Sequence, residues 1–212
     1  MIDYKNIDVK NLESELEQAR TYLEKPWNGK QEDAKDNDTG FIYFCSSIAS
    51  VLIMCVENNI VDETYAVKRW YNYHTSKMCE QLFINNGAVK EDNVKDKYVD
   101  IYINNIPYDV KLTIVPKKSN FPPLNSRNNK NKAISWLYNE QSLGGRNHNK
   151  NRIFIVCESD TYINSLLLKS NFELINESIE KYMEYIKSNE PNQIKLKDGN
   201  TVYADLILVS NK

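Results

Sequence analysis

A chain of 212 residues is long enough for one domain with a sizeable core, or for a core with a helical extension. Its composition, 41% hydrophobic and 26% charged, is ordinary for a soluble globular protein. The most apolar stretch, residues 41–56, contains three serines and is shorter than the roughly 20 apolar residues that a membrane span requires, so a membrane span is not expected there. Residues 1–10 lack the apolar run of a signal peptide, so a cytoplasmic protein is expected.

The four cysteines lie inside apolar segments and lack the CxxC spacing of a zinc site. A structural zinc ion is therefore not expected. We expect buried free thiols in a reducing compartment, at Cys45, Cys55, Cys79 and Cys157.

The first part of the chain is predicted to be helical. An amphipathic helix is expected over residues 11–25, followed by a polar, acidic loop over 29–39. Residues 41–56 predict a helix that is buried on most sides. Asp62 can cap a longer helix that runs to about Ile84. The apolar positions of that helix are Val67, Trp70, Tyr71, Met78, Leu82 and Phe83.

Two stretches with period-two alternation, residues 97–103 and 106–114, predict a β-hairpin. The two asparagines at 104–105 lie between them, and asparagine tolerates the positive φ that a type I′ turn requires. A two-residue turn would place Ile103 opposite Ile106 and would fix the register of the whole hairpin.

Counting outward from this turn places Asp100 opposite Asp109, in a pair whose side chains lie close together. Two carboxylates at such a separation repel each other unless a cation lies between them. Lys111 lies two residues after Asp109 and on the same face. A divalent cation held by both aspartates, beside the lysine ammonium, would relieve the repulsion and form a catalytic site. The alternative is a surface hairpin on which all three side chains are merely solvated.

The hairpin is followed by a basic loop over residues 116–132 and a helix over 133–142. The continuous apolar run at 152–158 predicts a central strand that is buried on both faces. A helix over 172–188 and a hairpin that turns at 198–199 complete the predicted elements.

The net charge of −2 conceals a strongly basic segment. Residues 111–152 carry nine basic side chains and one acid, a net charge of +8, which leaves −10 for the rest of the chain. Basic side chains beside a predicted metal site suit a polyanionic substrate such as a nucleic acid, although solvated loops are the alternative. The predicted nucleic-acid contacts are Lys117, Lys118, Arg127, Lys130, Lys132, Arg146 as a phosphate clamp, His148 and Lys150.

The spacing of Asp100, Asp109 and Lys111, with an apolar residue before the lysine, resembles the motif of the PD-(D/E)xK nuclease superfamily. The resemblance is strongest over residues 97–115 and extends over about 65–158. These enzymes include many restriction endonucleases and resolvases.

The resemblance implies an α/β (mixed α+β) fold with an αβββαβ core, in which a mixed sheet is flanked by helices. Residues 88–91 are the candidate for the first strand of that core. The nuclease-like core would span 61–212, and a helical extension, residues 1–60, would pack on it in one compact domain overall.

Further site residues are implied by the same resemblance. A glutamate on the helix before the hairpin often completes the metal shell in this superfamily, which suggests Glu80, with Glu57 and Glu63 as alternatives. A polar residue on the following helix often approaches the phosphate, which suggests Gln141. The main-chain carbonyl of Val110 would be a further metal ligand.

These implications predict a Mg²⁺-dependent endonuclease, with Mn²⁺ as a substitute, that hydrolyses DNA in preference to RNA. A type II restriction endonuclease or another phage-defence nuclease is the expected biological setting. One alternative is a non-catalytic nucleic-acid-binding or protein-interaction module that retains the fold. Another is a regulatory or immunity protein whose basic loops bind an acidic partner. The recognition sequence stays open, as does a homodimer of the kind that double-strand cutters commonly form.

Overall fold

A computed structural model of the chain describes residues 2–25, 33–93, 96, 98–116, 121–124, 127–140 and 150–211. The chain divides into two compact units, residues 1–78 with 170–172 and residues 79–169 with 173–212. Two helices, Glu63–Asn85 and Phe172–Lys187, contribute residues to both units. The division at residues 60 and 61 that the sequence suggests stays a prediction.

Helices make up the first unit within the residues that the structure describes. They are α1 (Val9–Glu17), α2 (Arg20–Glu24), α3 (Asp33–Asp38), α4 (Ile48–Glu57) and most of α5 (Glu63–Asn85), with a 3₁₀ turn at Gly40–Tyr43. The single helix predicted over residues 11–25 is wrong, because the chain forms two helices there. A 3₁₀-type turn separates them, in which the Ala19 amide donates to the Leu16 carbonyl at 3.1 Å. The short helix α3 occupies part of the predicted loop.

The buried helix predicted over residues 41–56 is wrong in its start and in its burial. The Ser47 hydroxyl accepts a hydrogen bond from the Ser50 amide at 3.2 Å, and this capping box starts α4 at Ile48. Ile53 and Val56 are 58% and 79% exposed, so α4 buries only one side. Among the described residues, no helix has both the length and the apolar character needed to cross a bilayer.

Helix α5 begins where the sequence predicts. The Asp62 carboxylate accepts a hydrogen bond from the Tyr65 amide at 3.0 Å, as a helix cap does. Trp70 and Tyr71 are fully buried, and the Trp70 indole donates to the Cys45 carbonyl at 2.9 Å. The aromatic side chains at the centre of α5 therefore build the core of the first unit.

His74 on α5 is fully buried and has partners for both ring nitrogens. Its Nδ1 lies 2.6 Å from the Tyr4 hydroxyl and its Nε2 lies 3.0 Å from the Cys45 carbonyl oxygen. A carbonyl can only accept, so Nε2 carries the proton and Nδ1 accepts from the tyrosine. Burial lowers the pKa of His74 to about 4, against an opposing contribution from the bond to Cys45. The histidine is a neutral structural residue, as the sequence suggests.

Acidification should therefore destabilise the protein through His74. Because its pKa is about 4 in the folded chain and about 6.5 in an unfolded one, its contribution is complete above pH 6.5 and is lost as the pH falls towards 4. We expect this loss to reach roughly 2–3 kcal/mol between pH 7 and pH 4.5. Urea unfolding at the two pH values, compared with the His74→Phe variant, measures it. Equal pH dependence in the two proteins would contradict the assignment.

A mixed β-sheet forms the centre of the second unit. Its strands are β1 (Val89–Lys90), β2 (Ile101–Ile103), β3 (Ile106–Ile114), β4 (Arg152–Glu158), β5 (Gln193–Lys195) and β6 (Thr201–Ser210). The order across the sheet is β1-β2-β3-β4-β6-β5, with β3, β4 and β6 parallel and the other pairs antiparallel. The mixed α/β fold predicted from the sequence is confirmed.

Helices connect the parallel strands of the sheet. Helix α6 (Arg127–Glu140) joins β3 to β4, and α7 (Tyr162–Leu167), a 3₁₀ turn and α8 (Phe172–Lys187) follow β4. From α5 to β4 the elements run helix, strand, strand, strand, helix and strand. The weak strand expected near residues 88–91 is present as β1, which pairs with β2.

Strand β4 is buried along almost its whole length, as its apolar run predicts. One face of the sheet packs against α6, and the cluster includes Ile134, Leu137, Phe154 and Leu206. Helix α6 begins at Arg127, six residues earlier than predicted, so Lys130 and Lys132, which the sequence predicts in a loop, lie on a helix. All four cysteines are free and buried, as expected.

Candidate active site

The turn of the β2–β3 hairpin has the predicted geometry. Asn104 and Asn105 have φ values of 49° and 63°, which is the left-handed conformation at both central positions of a type I′ turn. Ile103 pairs with Ile106, and Ile101 pairs with Tyr108. The predicted register is confirmed as far as the ladder extends.

Asp100 lies immediately before β2, because the regular ladder ends at Ile101. Its amide donates to the Tyr108 carbonyl at 2.9 Å. Its carboxylate Oδ2 accepts a hydrogen bond from the Val110 amide at 2.8 Å. The Asp100 carboxylate is thus held at the main chain between Asp109 and Lys111.

Asp109 is the centre of a charge cluster on the hairpin. Its side chain is buried, and Oδ1 lies 2.7 Å from the Lys111 Nζ while Oδ2 lies 2.6 Å from the Arg152 Nε. The Lys111 side chain is 48% exposed, whereas that of Arg152 is 7% exposed. A buried carboxylate requires such partners, because burial removes its hydration. The predicted contact between Asp109 and Lys111 is therefore present.

Arg152 belongs to the site, but the sequence alone identifies it only as one residue of the basic segment. The parallel pairing of β3 with β4 sets it opposite Asp109. The signal in the sequence is a single arginine at the start of an otherwise apolar, buried strand, which predicts a buried partner of opposite charge. The pairing of β3 with β4, which identifies that partner, cannot be read from one sequence.

Lys150 and two tyrosines border the same cluster. The Lys150 Nζ lies 3.5 Å from the centre of the Tyr98 ring, and the Tyr138 hydroxyl donates to the Lys150 carbonyl at 2.7 Å. Burial lowers the pKa of Lys150, with Arg152 and Lys111 acting in the same direction and Asp109 opposing them. Burial is also the main cause that raises the pKa of Tyr138. Three cationic side chains thus lie around Asp109.

A divalent cation would find a small set of oxygen ligands here. Among the described residues, no group of three or more His, Cys, Asp or Glu side chains is arranged to hold a metal ion. Mg²⁺ is commonly held by one or two carboxylates together with substrate phosphates, so Asp100 and Asp109 are the candidate ligands, and that role stays a prediction. A cation would displace Lys111 from Oδ1 of Asp109 more easily than Arg152 from Oδ2, because Lys111 is half-exposed and Arg152 is buried.

The three candidate glutamates differ in their location. Glu80 is half-buried on α5 and belongs to the second unit, which contains the hairpin. Glu57 and Glu63 belong to the first unit. Glu80 is therefore the candidate that shares a unit with Asp100 and Asp109, and its role as a metal ligand stays a prediction.

The predicted nucleic-acid contacts are described only in part. Lys130 on α6 points towards the sheet, where its Nζ lies 3.4 Å from the Leu206 carbonyl oxygen, and it lines a cavity of about 720 Å³ between α6, α8 and β6. Lys132 on the same helix is exposed. The positions outside the described residues are Lys117, Lys118, Gln141, Arg146 and His148, together with the side chain of Arg127.

Comparisons with protein-family models, with curated proteins and with solved structures find no match to this chain. The chemistry of the site is therefore inferred from its own residues.

Proposed function

We propose that the protein is a Mg²⁺-dependent endonuclease that hydrolyses phosphodiester bonds in DNA, in the cytoplasm and within restriction or another phage-defence system. One observation carries the proposal: Asp100, Asp109 and Lys111 lie along one hairpin, where Asp100 accepts from the Val110 amide and Lys111 pairs with Asp109. Two carboxylates that could hold a divalent cation, with an ammonium that could stabilise charge on the phosphate, suit metal-assisted phosphodiester hydrolysis. The order of elements from α5 to β4 agrees with the αβββαβ core that the motif implies.

Each residue has a defined task in this proposal. Asp100 and Asp109 would hold Mg²⁺, which supplies Lewis acidity and lowers the pKa of a coordinated water when bound. The Lys111 ammonium is exposed enough to leave Asp109 and to orient that water or neutralise charge on the phosphate. Lys150, at the border of the charge cluster, adds positive charge for the DNA backbone.

Nicking of supercoiled plasmid DNA by the purified protein tests the proposal. We expect conversion to open-circle or linear DNA in Mg²⁺ or Mn²⁺ and none in EDTA. RNA of matched length in the same buffers tests the preference for DNA, and size-exclusion chromatography with DNA tests for a homodimer. Failure to nick any plasmid in either metal would contradict the proposal.

A second candidate function is favoured by the Arg152–Asp109 pair. The arginine neutralises the buried carboxylate without any metal, as expected for a non-catalytic nucleic-acid-binding module that retains a nuclease-like fold. Such a module would bind DNA with an affinity that falls steeply with salt and would break no strand in Mg²⁺. Gel-shift titrations at two salt concentrations, beside the nicking assay, distinguish the two functions.

A further inference from the structure

We infer that Arg152 is a built-in counter-ion of Asp109 whose fixed charge opposes a divalent cation at the same carboxylate, and so sets how tightly the site binds metal. The guanidinium Nε lies 2.6 Å from Oδ2 of Asp109, in the position beside a carboxylate oxygen that a cation would take. The inference rests on the proposed cation site at Asp109, although it does not depend on DNA cleavage.

The two cations at Asp109 differ in how readily they can leave. The Lys111 side chain is 48% exposed, so its ammonium can move into water at little cost. The Arg152 side chain is 7% exposed, and taking it from the carboxylate would leave a buried charge without its partner. A metal ion therefore gains Oδ1 by displacing Lys111, while Oδ2 stays with the arginine.

Position in the sheet keeps this arrangement fixed. Arg152 pairs with Asp109 across the parallel β3–β4 ladder, and the Asp109 amide donates to the Asn151 carbonyl at 3.0 Å. The guanidinium carbon also lies 5.4 Å from the centre of the Tyr138 ring. Because main chain and ring both hold the arginine, its charge stays beside Asp109 and opposes the approach of a second cation.

Mn²⁺ affinity of the metal-free protein, measured by titration calorimetry and by the electron paramagnetic resonance of free Mn²⁺, tests the inference. Arg152→Gln keeps a hydrogen-bond donor but removes the positive charge, and we expect it to bind Mn²⁺ at least about tenfold more tightly than the parent protein. Arg152→Lys keeps the charge and should bind like the parent. Asp109→Asn should abolish the gain when combined with Arg152→Gln.

Lys150→Gln is the matched control, because it removes an equal charge near Asp109 without breaking the Arg152–Asp109 pair. Its Mn²⁺ affinity should change less than about threefold, since its half-buried ammonium lies over the Tyr98 ring and is partly screened by water and salt. An equal gain in Lys150→Gln and Arg152→Gln would overturn the inference, because general charge reduction would then explain both. Affinity of Arg152→Gln equal to that of the parent would overturn it as well.

Thermal unfolding keeps the test decisive if Arg152→Gln is unstable. We expect the variant to melt lower than the parent in EDTA and to regain stability in Mn²⁺, with a larger metal-induced rise in Tm than the parent shows. A variant that is unfolded in EDTA and that Mn²⁺ does not rescue would contradict the inference. Nicking is scored separately, so a parent protein that cleaves no DNA would refute the proposed function and leave the metal-affinity result intact.

Discussion

Lys111→Met should lose Mg²⁺-dependent plasmid nicking by roughly 10²–10³-fold, the usual effect of removing one group that stabilises charge in a transition state. Its stability should hardly change, because the ion pair with Asp109 is half-exposed and such pairs contribute at most about 1 kcal/mol. We therefore expect a shift in Tm below about 4 °C. Initial nicking rates in Mg²⁺ and a melting curve of the same preparation measure both quantities.

The matched control is Lys181→Met, which removes an 80% exposed lysine from the surface of α8. Its nicking rate and its melting temperature should equal those of the parent protein. Full activity of Lys111→Met would remove the lysine from the mechanism. A loss of activity that is equal in Lys111→Met and Lys181→Met would indicate weakened DNA binding through net charge instead.

Asp109→Ala should lower the free energy of unfolding by about 3–5 kcal/mol, because Arg152 would be left as an uncompensated charge in a buried position. Replacing both partners, Asp109→Leu with Arg152→Met, should restore most of that loss, since well-packed apolar side chains often substitute for a buried pair. Urea unfolding of the three proteins, monitored by far-UV circular dichroism, provides the comparison.

An exposed pair in the same unit serves as the reference. Glu177 and Lys181 lie 3.9 Å apart on α8, and Glu177→Ala should cost no more than about 0.5 kcal/mol. A loss in Asp109→Ala as small as this reference would show that Arg152 finds water or another partner. The buried pair would then contribute little to holding β3 against β4.

The elements that the sequence predicts well are those whose signal is local. Asn104 and Asn105 tolerate positive φ at a tight turn, and a two-residue turn at this position determines the register of the hairpin. The apolar run of β4 likewise predicts a buried central strand. By contrast, the apolar stretch at 41–56 predicts a longer, more deeply buried helix, because apolar content alone does not reveal the serine capping box within it.

The candidate site could be predicted only in part, for a related reason. Asp109 and Lys111 lie on one strand, so their contact follows from alternation along that strand. Arg152 lies 43 residues after Asp109, and only the pairing of two parallel strands brings them together. The β2–β3 ladder ends at Ile101, so Asp100 lies just outside it. The alternation of polar and apolar residues does not show where the ladder ends.

The four buried thiols can report local unfolding of the protein. Cys45 and Cys55 belong to the first unit and Cys79 and Cys157 to the second, and burial raises the pKa of each one. A maleimide or disulfide reagent reacts with the thiolate, so modification of these side chains has to await transient exposure. Mass spectrometry of labelled peptides would thus measure how fast the thiols of each unit become exposed, without any engineered probe.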